Sequence, residues 1–165
     1  MRVSSLLGVL LALILAASAV DAATPLTALN GEWQGGGTDR DGPLAAPQPT
    51  HCRATIKTDP THLTSTTQCD GETGLAKSFR LSVAFTGDRF TGSVEQVSSV
   101  HGGPVTRYAG TVSGRRDGDV ASFTARFGGL TPSAYVVLTL TSPTAYAMRV
   151  RVLGSTLTDV TLRRR

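Results

Sequence analysis

The chain has 165 residues, with 16 Lys and Arg against 12 Asp and Glu for a net charge of +4. That is one domain's worth of chain, since domains usually run ~100–200 residues. The charge comes without basic runs interleaved with aromatics, which excludes a nucleic-acid surface, and only 5% of residues are aromatic, so any core is built mainly from aliphatic and small side chains.

Residues 1–22 read as a secretory signal peptide. Arg2 gives a positive start, and Leu6 to Ala17 is an almost unbroken apolar run, shorter than the ~20 residues of a membrane span. Ala17-Ser18-Ala19 and Val20-Asp21-Ala22 both fit a cleavage site. No cysteine stands there, so no lipid anchor is expected. Residues 23–165 then form the domain, and losing Arg2 and Asp21 leaves 15 basic and 11 acidic residues. The expected location is periplasmic or secreted.

Past the signal, helical periodicity is absent. Short alternating runs are separated by Gly, Pro, Asp and Ser clusters, as in a many-stranded antiparallel fold. Asn30 to Thr38 is the first strand, and Asp39 to Pro49 is a Pro-rich loop. Thr50 to Thr58 and His62 to Cys69 form a hairpin around Asp59-Pro60-Thr61-His62, with Pro60 where a fixed φ is wanted. With Pro60 and Thr61 as the loop, Cys52 faces Cys69. Two cysteines in an exported chain are expected to pair. A metal pair lacks further ligands, because the histidines are scattered and no Cys-x-x-Cys occurs.

Phe79, Leu81, Val83 and Phe85 alternate with Ser78, Arg80, Ser82 and Ala84, and Gly87-Asp88 supplies a two-residue turn. Phe85 then meets Phe90, Val83 meets Gly92, and Leu81 meets Val94. Val97 to Pro104 reads as a loop. Strands Val105 to Arg115 and Val120 to Gly128 flank an Arg116-Asp117-Gly118-Asp119 turn, with Phe123, Ala125 and Phe127 on one face. Ala134 to Thr141 and Ala145 to Leu153 form another hairpin around Ser142-Pro143-Thr144, with Leu138 and Leu140 facing Met148 and Tyr146. Gly154-Ser155 leads into a last strand, Thr156 to Arg164.

The fold class is therefore all-β: one antiparallel, mostly up-and-down barrel of 8–10 strands with one disulfide. Closure removes the exposed edges that an open meander would leave. Gly92, Gly110 and Gly114 let strands bend at barrel corners or mark bulges. An outer-membrane barrel is excluded, because Ser78, Arg80 and Ser82 point outward and the chain ends Arg163-Arg164-Arg165. Each arginine in lipid would cost roughly 2–4 kcal/mol near the midplane.

The Gly31-x-Trp33 portion of the first strand resembles the opening strand of calycin-type barrels: lipocalins, avidins and the small bacterial metalloprotease inhibitors. That resemblance implies that Trp33 plugs one barrel end and that a basic residue of the last strand lies over it. Val160 and Leu162 point inward by alternation, so Arg164 is the candidate partner. The wider pattern, Trp33-x-Gly35-x-Gly37 followed by Cys52-Arg53-Ala54 and Cys69, is similar to a group of small secreted alphaproteobacterial one-disulfide proteins that is functionally uncharacterised. The chain departs from avidins in lacking further tryptophans and from lipocalins in lacking a long helix before the last strand. A segment inserting into a protease would be only Ala23 to Leu29. No functional residue carries over.

Among residues that could carry chemistry, His51 falls opposite Asp70 on the face away from the cysteines. That is half of a nucleophilic triad without a Gly-x-Ser-x-Gly serine, and it also reads as a surface pair. His62 and His101 belong to turns. Asp39 with Asp41 and Asp117 with Asp119 form two Asp-x-Asp loops too poor in oxygens for calcium. Glu32, Glu72 and Glu95 are dispersed. No metal or cofactor is expected. Arg149 and Arg151 share an outward face that Arg163 and Arg165 join on the neighbouring strand; the group reads either as a solvated, edge-protecting face or as an anion-binding patch. Tyr135 and Val137 are apolar on the same outer surface. These residues point to a monomeric, non-enzymatic barrel that binds an envelope component or a protein partner. The alternatives are a carrier of a small apolar ligand or an inhibitor of a secreted hydrolase.

Overall fold

A computed structural model describes residues 26–165; the expected signal peptide, residues 1–22, lies outside the described residues. A short 3₁₀ helix, Leu26–Leu29, precedes ten strands. They are β1 (Gly31–Asp39), β2 (Gln48–Thr58), β3 (His62–Gly71), β4 (Leu75–Thr86), β5 (Arg89–Val100), β6 (Thr106–Asp117), β7 (Val120–Phe127), β8 (Ala134–Ser142), β9 (Ala145–Val152) and β10 (Ser155–Arg164). Each strand pairs antiparallel with the next, and β10 returns to β1, so the sheet closes into an up-and-down barrel with no free edge.

The registers follow from turn chemistry. Asp59 Oδ1 accepts the backbone N–H groups of Thr61 and His62, each at 2.8 Å, which sets the β2–β3 turn. Those bonds, led by the Thr61 amide, hold the Asp59 carboxyl below its ordinary pKa. Cys52 accordingly lies opposite Cys69, the two are disulfide-bonded, and their Cα atoms are 4.1 Å apart. In β4–β5, Phe85 pairs with Phe90, Val83 with Gly92 and Leu81 with Val94. In β8–β9, Leu138 meets Met148 and Leu140 meets Tyr146.

Several expected boundaries move, most by one or two residues. Asp39 ends β1 rather than opening the loop. The β4–β5 ladder is longer at its open end: Leu75 pairs with Val100, so Val97 to Val100 are strand, not loop. Their Ser-rich sequence carries no clear alternation; hydrogen bonding to β4 and β6 overrides it. The β6–β7 turn is Gly118-Asp119, because Asp117 pairs with Val120.

Inward residues make one core that includes Trp33, the disulfide, Val83, Phe90, Phe123, Met148 and Leu162. Outward positions along β2 to β4 are mostly polar, among them Arg53, Lys57, Thr66, Gln68, Ser78 and Arg80. This is the opposite of a lipid-facing apolar band. Five inward glycines sit where a Cβ would strike a neighbouring strand: Gly35 at 1.9 Å from the Thr161 carbonyl oxygen, Gly37 at 2.0 Å from that of Asp159, Gly92 at 1.9 Å from that of Ser82, Gly110 at 2.2 Å from that of Arg126 and Gly114 at 2.3 Å from that of Ser122. Pairing is continuous through all five, so they mark tight curvature and not bulges. The bulges lie elsewhere, between Thr156 and Thr158 and between Leu140 and Ser142.

Two stability measurements check this account. Replacing Cys52 and Cys69 together by Ser is expected to lower the unfolding free energy by about 3 kcal/mol, seen as a lower urea midpoint; an unchanged midpoint contradicts a stabilising bridge. Gly35→Ala is expected to cost about 1–3 kcal/mol, as overpacking does, and a neutral result would show that β10 can retreat from β1.

Candidate functional site

The interior is not filled. Ten strands enclose more space than the roughly eight whose side chains just fill a barrel. On β5 and β6 the inward positions Gly92, Gly110 and Gly114 supply no side chain, and Ala121, Ala125 and Ala134 supply little. The result is a cavity of about 140 Å³ running along the barrel, lined almost wholly by apolar groups. All five phenylalanines, Phe79, Phe85, Phe90, Phe123 and Phe127, lie on its wall instead of occupying it. Phe90 stacks with Phe85 and Phe123 at 5.1 and 5.9 Å between centroids. Phe85, Phe127, Leu138 and Leu140 face inward yet stay only partly buried. The polar exceptions on the wall are Ser65, Thr67, Gln96, Arg116 and Asp119.

One end of the barrel carries the Trp33 assembly. Trp33 is fully buried, and its indole N–H donates to the Leu29 carbonyl at 3.0 Å, pulling the 3₁₀ helix across the opening. Tyr146 meets the indole edge-on at 5.1 Å, and burial pushes its phenol pKa far above the ordinary value. Arg164, the cross-strand neighbour of Trp33, places its guanidinium 4.9 Å from the ring centre and donates to the Ala28 carbonyl. A cation–π contact at such a partly exposed position contributes ~0.5–1 kcal/mol.

Towards the opposite end lies a group that sequence reasoning missed. Asp39 and Lys77 are both buried, with Lys77 Nζ 2.9 Å from each Asp39 oxygen. Lys77 also donates to the Arg40 carbonyl, and Thr158 Oγ1 donates to Asp39 at 2.8 Å. The ammonium thus finds its carboxylate and carbonyl acceptors within the protein itself. Lys77 on β4 reaches β1 across β2 and β3, past Gly35, Gly37 and Gly71, whose inward positions are bare. A signal was present: the alternation that turns Phe79 and Leu81 inward turns Lys77 inward too. The Pro-rich sequence around Asp39 reads as a loop, and nothing local to it points to a partner 38 residues away.

The other candidates are dispersed on the outer surface. Arg149 donates twice to Asp159 Oδ2, at 3.0 and 2.7 Å, so its charge is already matched. Arg163 is not brought to Arg149 and Arg151. It pairs with Ala145, four residues along β10 from Asp159, a separation of roughly 13 Å at ~3.3 Å per residue. Arg165 lies 4.0 Å from Glu32. The three-arginine patch is therefore not assembled. His51 and Asp70 are opposite one another but exposed, and their flanking neighbours Gly36 and Ala76 offer no nucleophile. Asp119 lines the cavity and Asp117 does not. Among the described residues no cluster of three or more His, Cys, Asp or Glu is placed to hold a metal.

No protein-family model matches the chain and no curated protein matches it, so the site is read from its own chemistry. The fold and interior define a closed ten-stranded barrel with a small apolar chamber.

Removing one member of the buried pair strands the other. Lys77→Met is expected to cost about 3–5 kcal/mol, and Asp39→Leu combined with Lys77→Met to recover most of it. A double-mutant cycle by urea denaturation measures the coupling, and additive losses would contradict the pairing.

Proposed function

We propose that the protein is an exported carrier of a small apolar ligand held inside the barrel. The single observation that carries this reading is the chamber: about 140 Å³, apolar, and bounded by five phenylalanines that could have closed it and do not. An apolar cavity of ~150 Å³ stays dry and accepts benzene, whereas drug-sized ligands need ~300–1,000 Å³. The occupant is accordingly small, a single ring or one short alkyl chain. Arg116 and Asp119, at the β6–β7 turn, are positioned to meet a polar end of it, the usual division of labour in such pockets. The disulfide supports export, since such bonds persist in oxidising compartments. Arg164 over Trp33 closes one end of the barrel, as the calycin-type resemblance implies.

Benzene is the probe. It is expected to shift the Met148 methyl resonance and to raise the melting temperature with concentration, because only the folded state binds it. Ala125→Leu, which fills the chamber, is expected to keep the fold and lose both responses. An unmoved Met148 methyl at saturating benzene would sink the carrier reading.

A further inference from the structure

The two ends of the barrel differ in chemistry. One end has tight polar turns: Asp59-Pro60-Thr61, Gly87-Asp88, Gly118-Asp119 and Pro143-Thr144. At the other end, four of the five connections or their edges carry a large apolar side chain in water. Leu44 is 101% exposed, Leu130 104%, Leu153 74% and Val105 65%. The fifth connection, Glu72-Thr73-Gly74, is polar.

Charge separates this rim into sectors. The connections holding Leu130 and Leu153 are neighbours around the barrel, joined by β8 and β9. From Val120 to Thr158 the sequence has no Asp or Glu and three arginines, Arg126, Arg149 and Arg151. Arg149 is held by Asp159. Arg126 and Arg151 form no ion pair among the described residues, and both lie outward near the ends of β7 and β9 beside the apolar tips. Tyr135, 45% exposed, is the cross-strand neighbour of Arg151. Thr124, Ser133, Tyr135, Arg151 and Leu153 surround an open hollow of about 330 Å³. The Leu44 sector differs, with Asp41, Asp70 and Glu72 on its side of the rim.

We propose that the Leu130–Leu153 rim docks the protein on an anionic bilayer surface. Leu130 and Leu153 enter the acyl boundary, Tyr135 lies at headgroup level, and Arg126 and Arg151 meet lipid phosphates from behind. This is the arrangement amphipathic side chains adopt at an interface. A bilayer suits the geometry better than a protein partner does. The leucines are isolated on separate tips with Gly128, Gly129, Thr131 and Ser133 around Leu130, and they make no flat contiguous patch of the kind protein interfaces bury. Peripheral binding that lasts needs an apolar and an electrostatic contribution together, and this sector supplies both. The proposal is independent of what the chamber holds.

Sedimentation of the purified protein with vesicles tests it. Vesicles of mixed phosphatidylglycerol and phosphatidylcholine are expected to bind the protein, pure phosphatidylcholine vesicles much more weakly, and added salt to release it. Arg126→Gln with Arg151→Gln is expected to weaken binding about 25-fold, on ~5-fold for each surface arginine. Leu130→Ser with Leu153→Ser is expected to weaken it by at least about tenfold, as loss of inserted apolar area requires. All four residues are exposed, so melting temperatures should not move. Failure to sediment with anionic vesicles overturns the proposal. So does binding that the leucine changes leave intact while inorganic phosphate competes it away, which marks a soluble-anion site.

Discussion

Closure of the barrel depends on the bare inward face of β1. A closed sheet needs its first and last strands to meet, and here β10 lies so near β1 that a Cβ on Gly35 or Gly37 would stand 1.9 or 2.0 Å from a β10 carbonyl oxygen. Only glycine leaves that space empty. The seam in turn satisfies the backbone groups of both terminal strands, which in an open meander would be edges ready to pair with another chain.

The same inward face organises the rest of the interior. Read along β1, it runs Trp33, Gly35, Gly37, Asp39. Trp33 sits under Arg164 of β10 and ties down the 3₁₀ helix, while Asp39 receives Lys77 and Thr158. The intervening glycines bring β10 close and leave the Lys77 stem a path. One side of the barrel is therefore pinned by a tryptophan stack, a disulfide and a buried ion pair. Small inward residues, or none, on β5 to β8 leave room for the chamber, whose wall runs from β2 round to β9.

Much of the fold was legible because period-two alternation and turn chemistry are local. Asp59-Pro60-Thr61 and Gly87-Asp88 set registers that bring Cys52 to Cys69 and Phe85 to Phe90. The β5 extension was less legible, since Val97-Ser98-Ser99-Val100 has no consistent alternation and becomes strand only through its neighbours. The expected arginine patch failed for a similar reason. Arg149 and Arg163 lie on paired strands and both face outward, but the register sets them four residues apart and gives Arg149 to Asp159.

Sequence alone determined the class of the fold, the hairpin registers and the pairing of the cysteines, because each is decided within a few tens of residues by pattern and turn geometry. Tertiary structure decided which distant groups meet inside: the Asp39–Lys77 ion pair, the chamber, and the gathering of Leu130, Leu153, Arg126 and Arg151 at one rim. Those depend on strand number and curvature around the closed cylinder, and no local segment encodes the distance across it.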